Sequence, residues 1–208
     1  MNISKLLLID AALAIGVIPI LFLLTGRDKI SSLFGSSNKE KLLEKASINL
    51  PEKEKILELE QNARSEGSGI ELDSLVGNWR FISVWKEHGD NEDSIFSSLL
   101  RIFSAIIELK KDITPQNPFG LSISASIKFG ILSINFSGSG YLKGKQPFLP
   151  FFFRFIEIKS GSSILLKRSI KQAKDKEKSF FELIALEKSE GWLAARGQGG
   201  ALILWLKS

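Results

Sequence analysis

A mainly β protein is expected from this sequence: an antiparallel β-barrel preceded by an N-terminal transmembrane helix and a helical linker. Three features support this. Residues 6–24, LLLIDAALAIGVIPILFLL, carry a single charge, Asp10. The next stretch is rich in Lys, Glu, Ser and Leu, with apolar residues at helical spacing. From Gly77 onward the apolar period changes to two, in about nine short runs separated by Gly and Ser turn signals. The composition shifts divide the chain into an anchor (1–25), a charged helical linker (26–71) and a β domain (72–208).

The 19-residue apolar run 6–24 within the anchor would rise roughly 28 Å as a helix, close to the hydrocarbon thickness of a bilayer. Pro19 is tolerated more readily in a membrane helix than in a soluble one. Only Lys5 precedes the run, and TGRDKI follows it where a cleaved secretory signal needs small residues. A retained single-pass anchor is therefore the expectation. Arg27, Lys29, Lys39, Lys41 and Lys45 follow it, which keeps the C-terminal domain on the cytoplasmic side.

In the linker, NKEKLLEKA and LPEKEKILELEQNARSEG read as helices, with Pro51 near a helix start. Glu54 and Glu58 form a like-charge pair, so no consistent charge ladder supports a coiled coil. A stalk, a lid and a lipid-facing surface helix all remain open.

The β runs begin with GNWRFISVW, where Trp79, Phe81, Ser83 and Trp85 alternate against Arg80, Ile82 and Val84. A helical insertion at 93–103 presents Ile95, Phe96, Leu99, Leu100 and Phe103 on one side, as a lid would. FSAIIELKK follows, then LSISASIKF, in which Leu121, Ile123, Ala125, Ile127 and Phe129 share a face. ILSINFSGSGYL, FFFRFIEIK, SSILLKRSI, SFFELIALEK, GWLAARG and GALILWLK complete the series. Such a series of antiparallel strands either packs as a sandwich or closes as an up-and-down barrel, and the barrel is expected because closure removes apolar edges.

Several chemistries are excluded. The 208 residues contain no cysteine and one histidine, His88, so thiolate and most zinc sites are impossible. No phosphate loop, nucleophile elbow or paired acid/base site is present, and no catalytic residue, metal or cofactor is expected. The chain is not expected to be an enzyme. The basic run KRSIKQAKDKEKS lacks interleaved aromatics, which argues against nucleic acid and leaves a solvated loop or anionic headgroups.

Gly77-Asn78-Trp79 resembles the G-x-W of the lipocalin group, in which the tryptophan plugs the closed end of the barrel and a basic residue from the last strands stacks on it. Arg196 is the matching cation. More closely, LVGNWRF, SGSGYLKGKQPFLPFFF and WLAARGQGGALILWLK resemble the plastid-lipid-associated protein family, or fibrillins, of cyanobacteria and plastids. Gly77, Trp79, Arg196, Gly197 and Gly200 carry the motif, although Leu193-Ala194-Ala195 stand where the family usually has acids.

The resemblance implies a lipocalin-like barrel beside a photosynthetic membrane, a thylakoid by the family's habit, and an apolar lipid-like ligand. If Trp79 points inward, Trp79, Phe81, Ser83, Trp85, Ile123, Ile127 and Phe129 would line the site. The same side chains could fill a narrow barrel solidly. Two functions follow from these alternatives: a membrane-anchored binder of a lipid, quinone or carotenoid, or a non-catalytic assembly protein with a solid core.

Overall fold

The computed structural model describes residues 49–87, 91–112, 120–145, 147–170 and 179–208. The expected anchor, the first part of the linker, His88 and most of the basic run lie outside the described residues. Among the described residues, no helix is long and apolar enough to cross a membrane.

Among the described residues two helices precede the sheet, α1 (Lys53–Glu66) and α2 (Leu72–Leu75), and a third, α3 (Ser94–Ile102), interrupts it. The strands are β1 (Gly77–Trp85), β2 (Ile106–Lys111), β3 (Gly120–Phe129), β4 (Leu132–Tyr141), β5 (Phe148–Ser160), β6 (Ser163–Ser169), β7 (Ser179–Glu187), β8 (Trp192–Gly197) and β9 (Leu202–Lys207). They form one antiparallel sheet, ordered β4-β3-β2-β1-β9-β8-β7-β5-β6, and a further β4–β5 pairing closes it into a ring.

The long strand β5 makes closure possible. Along one edge it pairs with β4 from Phe151 to Ser160; along the other, Phe148–Phe151 pair with β7 and Phe155–Ser160 with β6. Strand β6 therefore hangs outside the circuit. The pairing directions gather α3 and the β3–β4, β5–β6 and β8–β9 turns at one end of the ring. The β4–β5 and β7–β8 turns and α2 lie at the other.

Alternation works as expected in β3: Leu121, Ile123, Ala125 and Ile127 are buried in the ring, with partly exposed serines between them. Phe129, at the strand's end, is 39% exposed. In β1 the alternation breaks. The β1–β9 register slips between Phe81, opposite Trp205, and Ser83, opposite Leu204, so Ile82 is an extra bulged residue. Trp79 and Phe81 belong to the interior cluster, whereas Ile82 and Trp85 join an outer one with Ile56, Ile184, Trp192, Ala194, Leu202 and Leu204.

Helix α1 covers that outer cluster with Ile56, Leu57 and Leu59. Its C-terminus is closed by Gly67, whose N–H donates to the Ala63 carbonyl at 2.9 Å. The described end of the linker, part of the segment read as a stalk, a lid or a lipid-facing helix, is thus packed on the sheet. It covers apolar residues that a ring would otherwise turn to water.

The SGSG stretch of β4 has a steric reason. A Cβ on Gly138 would sit 1.9 Å from the Phe152 carbonyl oxygen, where β5 bulges opposite. Neither backbone can yield without breaking the β4–β5 seam. Gly138→Ala is expected to cost about 1–3 kcal/mol, the usual range for overpacking, read as a lower urea midpoint for the full chain. An unchanged midpoint would show that the two strands do not meet this closely.

Candidate functional site: an apolar cleft at one end of the ring

A chain of rings crosses the interior. Phe81 on β1 packs against Trp205 on β9 at 5.3 Å, Trp205 against Phe181 on β7 at 5.2 Å, and Phe181 stacks on Phe151 of β5 at 5.0 Å. Phe153 and Phe136 continue it to β4 at 5.6 and 5.4 Å. Edge and tilted contacts of this kind suit the ring quadrupoles and fill the width of a small closed sheet.

At the α3 end the filling stops short. Phe81, Val84, Phe151, Phe181 and Ile203 from the sheet, Phe96 and Leu100 from α3, and the Gly197-Gln198-Gly199 turn surround a cavity of about 70 Å³. Ligand pockets commonly enclose about 300–1,000 Å³, so this cleft takes one ring or the end of a chain. Among the described residues, three buried polar atoms lack a partner: Arg101 Nε, Gln198 Oε1 and the indole Nε1 of Trp205. Gln198 borders the cleft, and Trp205 packs against two of its wall residues.

Helix α3 is fastened over this end by polar side chains. Beyond Arg80, β1 has lost β2 as a ladder partner, and α3 supplies the missing bonds. Ser97 Oγ accepts from Val84 N–H at 2.9 Å, the Asp93 N–H donates to the Val84 carbonyl at 2.8 Å, and Arg101 donates to the Ile82 carbonyl at 2.5 Å. Arg101 also pairs with Glu92 at 3.0 Å. Asp93 caps the helix by accepting from Phe96 N–H.

At the other end Trp79 is buried, 1% exposed, and its indole N–H donates to the Leu75 carbonyl at 2.7 Å. Ile70, Leu72 and Leu75 pack into the interior beside it. The cation over its ring is Lys207, 5.4 Å from the centroid. Arg196 was expected there, but its neighbours in β8 set it on the opposite side: Leu193 and Ala195 face the interior, Ala194 the outer cluster. From the outer side Arg196 grips Glu60 of α1, Nε to Oε1 and Nη2 to Oε2, both at 2.5 Å. It also donates to the Gly200 carbonyl, while Gly197 and Gly200 form the hydrogen-bonded β8–β9 turn.

Of the residues expected to line a ligand site, Phe81 borders the cleft. Trp79, Ile123 and Ile127 lie in the same interior cluster, away from it. Phe129 sits at the rim, edge-on to Phe103 at 5.5 Å. Ser83 and Trp85 are moved to the outer side by the bulge: Ser83 pairs with Leu204 and Trp85 with Leu202, both in the outer cluster. Trp205, Phe181 and Phe151 were missed. LILWLK and FLPFFFRF are apolar at nearly every position, so alternation does not reveal which residues face inward.

Glu60, 4% exposed, is the buried acid of this region. Burial would push its carboxyl up, but hydrogen bonds and charge from Arg196, with Arg64 at 2.8 Å, hold it below the usual carboxylate range. Bonding to Glu60 raises Arg196 against the opposing effect of burial.

Because the folded Glu60 pKa is depressed, its contribution to stability is complete above its ordinary value of about 4.5 and is lost as pH falls through the lower folded value. Arg196→Ala should cost about 3 kcal/mol. It should also move the acid release of α1 to higher pH, measured by hydrogen exchange of α1 amides. Unchanged exchange would mean that the pair does not hold the helix.

No protein-family model matches this sequence, and no curated protein matches it significantly.

Proposed function

We propose that this protein is a membrane-anchored, lipocalin-like β-barrel of the plastid-lipid-associated type, which binds an apolar small molecule beside a photosynthetic membrane. The ligand class is a lipid, quinone or carotenoid. The chain would be a single-pass membrane protein with its β domain on the cytoplasmic side. The observation that carries the binding half is the apolar cleft under α3, whose neighbourhood holds unpartnered polar atoms on Gln198 and Trp205. Apolar walls with a few polar groups give affinity by burial and orientation by hydrogen bonding.

The cleft's small volume restricts the mechanism. A long ligand would seat one end against Phe81 and Phe181, and α3 would have to shift to admit more of it. A second reading is favoured by the filled interior: the ring is solid, and the protein serves as a non-catalytic assembly factor for a membrane complex.

Filling the cleft separates the two. Full-length wild type, Val84→Phe and Trp85→Ala would be purified in mild detergent from a photosynthetic host and their organic extracts compared by mass spectrometry. The binding reading predicts an enriched molecule in wild type and in Trp85→Ala, whose side chain lies on the outer face, and about tenfold less in Val84→Phe, the equivalent of about 1.4 kcal/mol. Equal extracts from all three, indistinguishable from a mock purification, would favour the solid ring.

A further inference from the structure

The net charge of +5 is unevenly distributed. Between residues 120 and 169 the sequence holds seven cations, Lys128, Lys143, Lys145, Arg154, Lys159, Lys167 and Arg168, and one acid, Glu157. The rest of the chain is close to neutral by difference. Four of these cations, Lys128, Lys159, Lys167 and Arg168, lie where the sheet runs past the ring. There β2 has ended opposite Ser126, so the last residues of β3 pair with β4 alone, and β5 is bordered by β6 in place of β7. Among the described residues, β6 has no strand on its far side.

Two turns form the tip of this projection. The Gly161 N–H of the β5–β6 turn donates to the Ile131 carbonyl of the β3–β4 turn at 2.7 Å, which holds them side by side. Ile131 is 74% exposed, Leu165 61% and Ile164 54%. Single exposed apolar residues are ordinary. Here three large ones gather at the tip, Ile131 in the β3–β4 turn and Ile164 and Leu165 in β6 just after the β5–β6 turn, flanked by basic side chains. Glu157 is taken up by Lys159 at 2.6 Å and Lys167 at 3.7 Å.

We propose that this tip, the β3–β4 and β5–β6 turns, seats in an anionic lipid surface, with Ile131, Ile164 and Leu165 among the acyl chains and the four cations at the headgroups. Each Lys or Arg near such a surface contributes about 1 kcal/mol, and the apolar tips add burial. A second copy docking on the β6 edge would bring the same positive charge against itself, so the charge selects an anionic partner. The tip shares its end of the ring with the cleft and α3, so seating it turns the mouth of the cleft toward the lipid. The inference rests on the membrane half of the proposed function, and its outcome is independent of whether a ligand co-purifies.

The full chain lacks cysteine, so single labels are straightforward. Ile164→Cys, Leu165→Cys and, as a control in the β7–β8 turn at the opposite end, Lys188→Cys would each carry an environment-sensitive fluorophore. The chains would be reconstituted into vesicles of phosphatidylcholine with phosphatidylglycerol, or of phosphatidylcholine alone. Expected are a blue shift and quenching by spin-labelled lipid at 164 and 165 with phosphatidylglycerol present, and neither at 188. Lys128→Gln, Lys167→Gln and Arg168→Gln should each lower the seated-to-free ratio about fivefold. Labels at 164 and 165 that stay open to aqueous iodide and untouched by lipid quencher would overturn the proposal. Shielding without phosphatidylglycerol, accompanied by cross-linking between chains, would overturn it in favour of a second copy.

Discussion

One extra residue in the first strand organises the rest of the molecule. Without the bulge at Ile82, strict alternation would send Trp79, Phe81, Ser83 and Trp85 to the same side, three aromatics and a hydroxyl into one small interior. The slip divides them. Trp79 and Phe81 go inward with Trp205, while Trp85 goes outward to Trp192 and needs cover, which α1 provides. The part of β1 after the bulge is also where β2 has departed, and there Ser97, Asp93 and Arg101 bring α3 onto the strand's free backbone groups. Both helices that flank the sheet are thus positioned by consequences of one register slip.

Closure sets the second constraint. A ring this narrow is filled by its own side chains, and the aromatic path from Phe81 to Phe136 does so across five strands. What remains is a cleft at the α3 end, bordered by the β8–β9 turn. That turn is joined to the outer face by Arg196, which binds the Gly200 carbonyl and Glu60 of α1 together. The linker helix and the rim of the cleft therefore share one side chain.

Much of the fold was legible in the sequence. The switch from helical to period-two patterning located the sheet, LSISASIKF gave the faces of β3 correctly, and 93–103 read as a helix. Pro51, read as lying near a helix start, stands just before Glu52, the residue that precedes the first turn of α1. The site was less legible for three physical reasons. A bulge leaves no mark in an apolar strand, so Ser83 and Trp85 were placed on the wrong face. Runs apolar on both faces, LILWLK and FLPFFFRF, hide the inward residues Trp205 and Phe151. And an arginine near the chain's end can meet an aromatic or an acid equally well; Glu60, 136 residues earlier, decides it for Arg196, leaving Lys207 to Trp79.

The bulge divides the four tryptophans between two compartments, and fluorine NMR of the 5-fluorotryptophan-labelled full chain would resolve that division. Resonances would be assigned by single Trp→Phe substitutions and compared between wild type and Glu60→Gln, which loosens α1 from the outer face. Trp85 and Trp192 are expected to shift while Trp79 and Trp205, inside the ring, stay in place. A shift of Trp79 or Trp205 with Trp85 unmoved would place Trp85 inside and contradict the bulge.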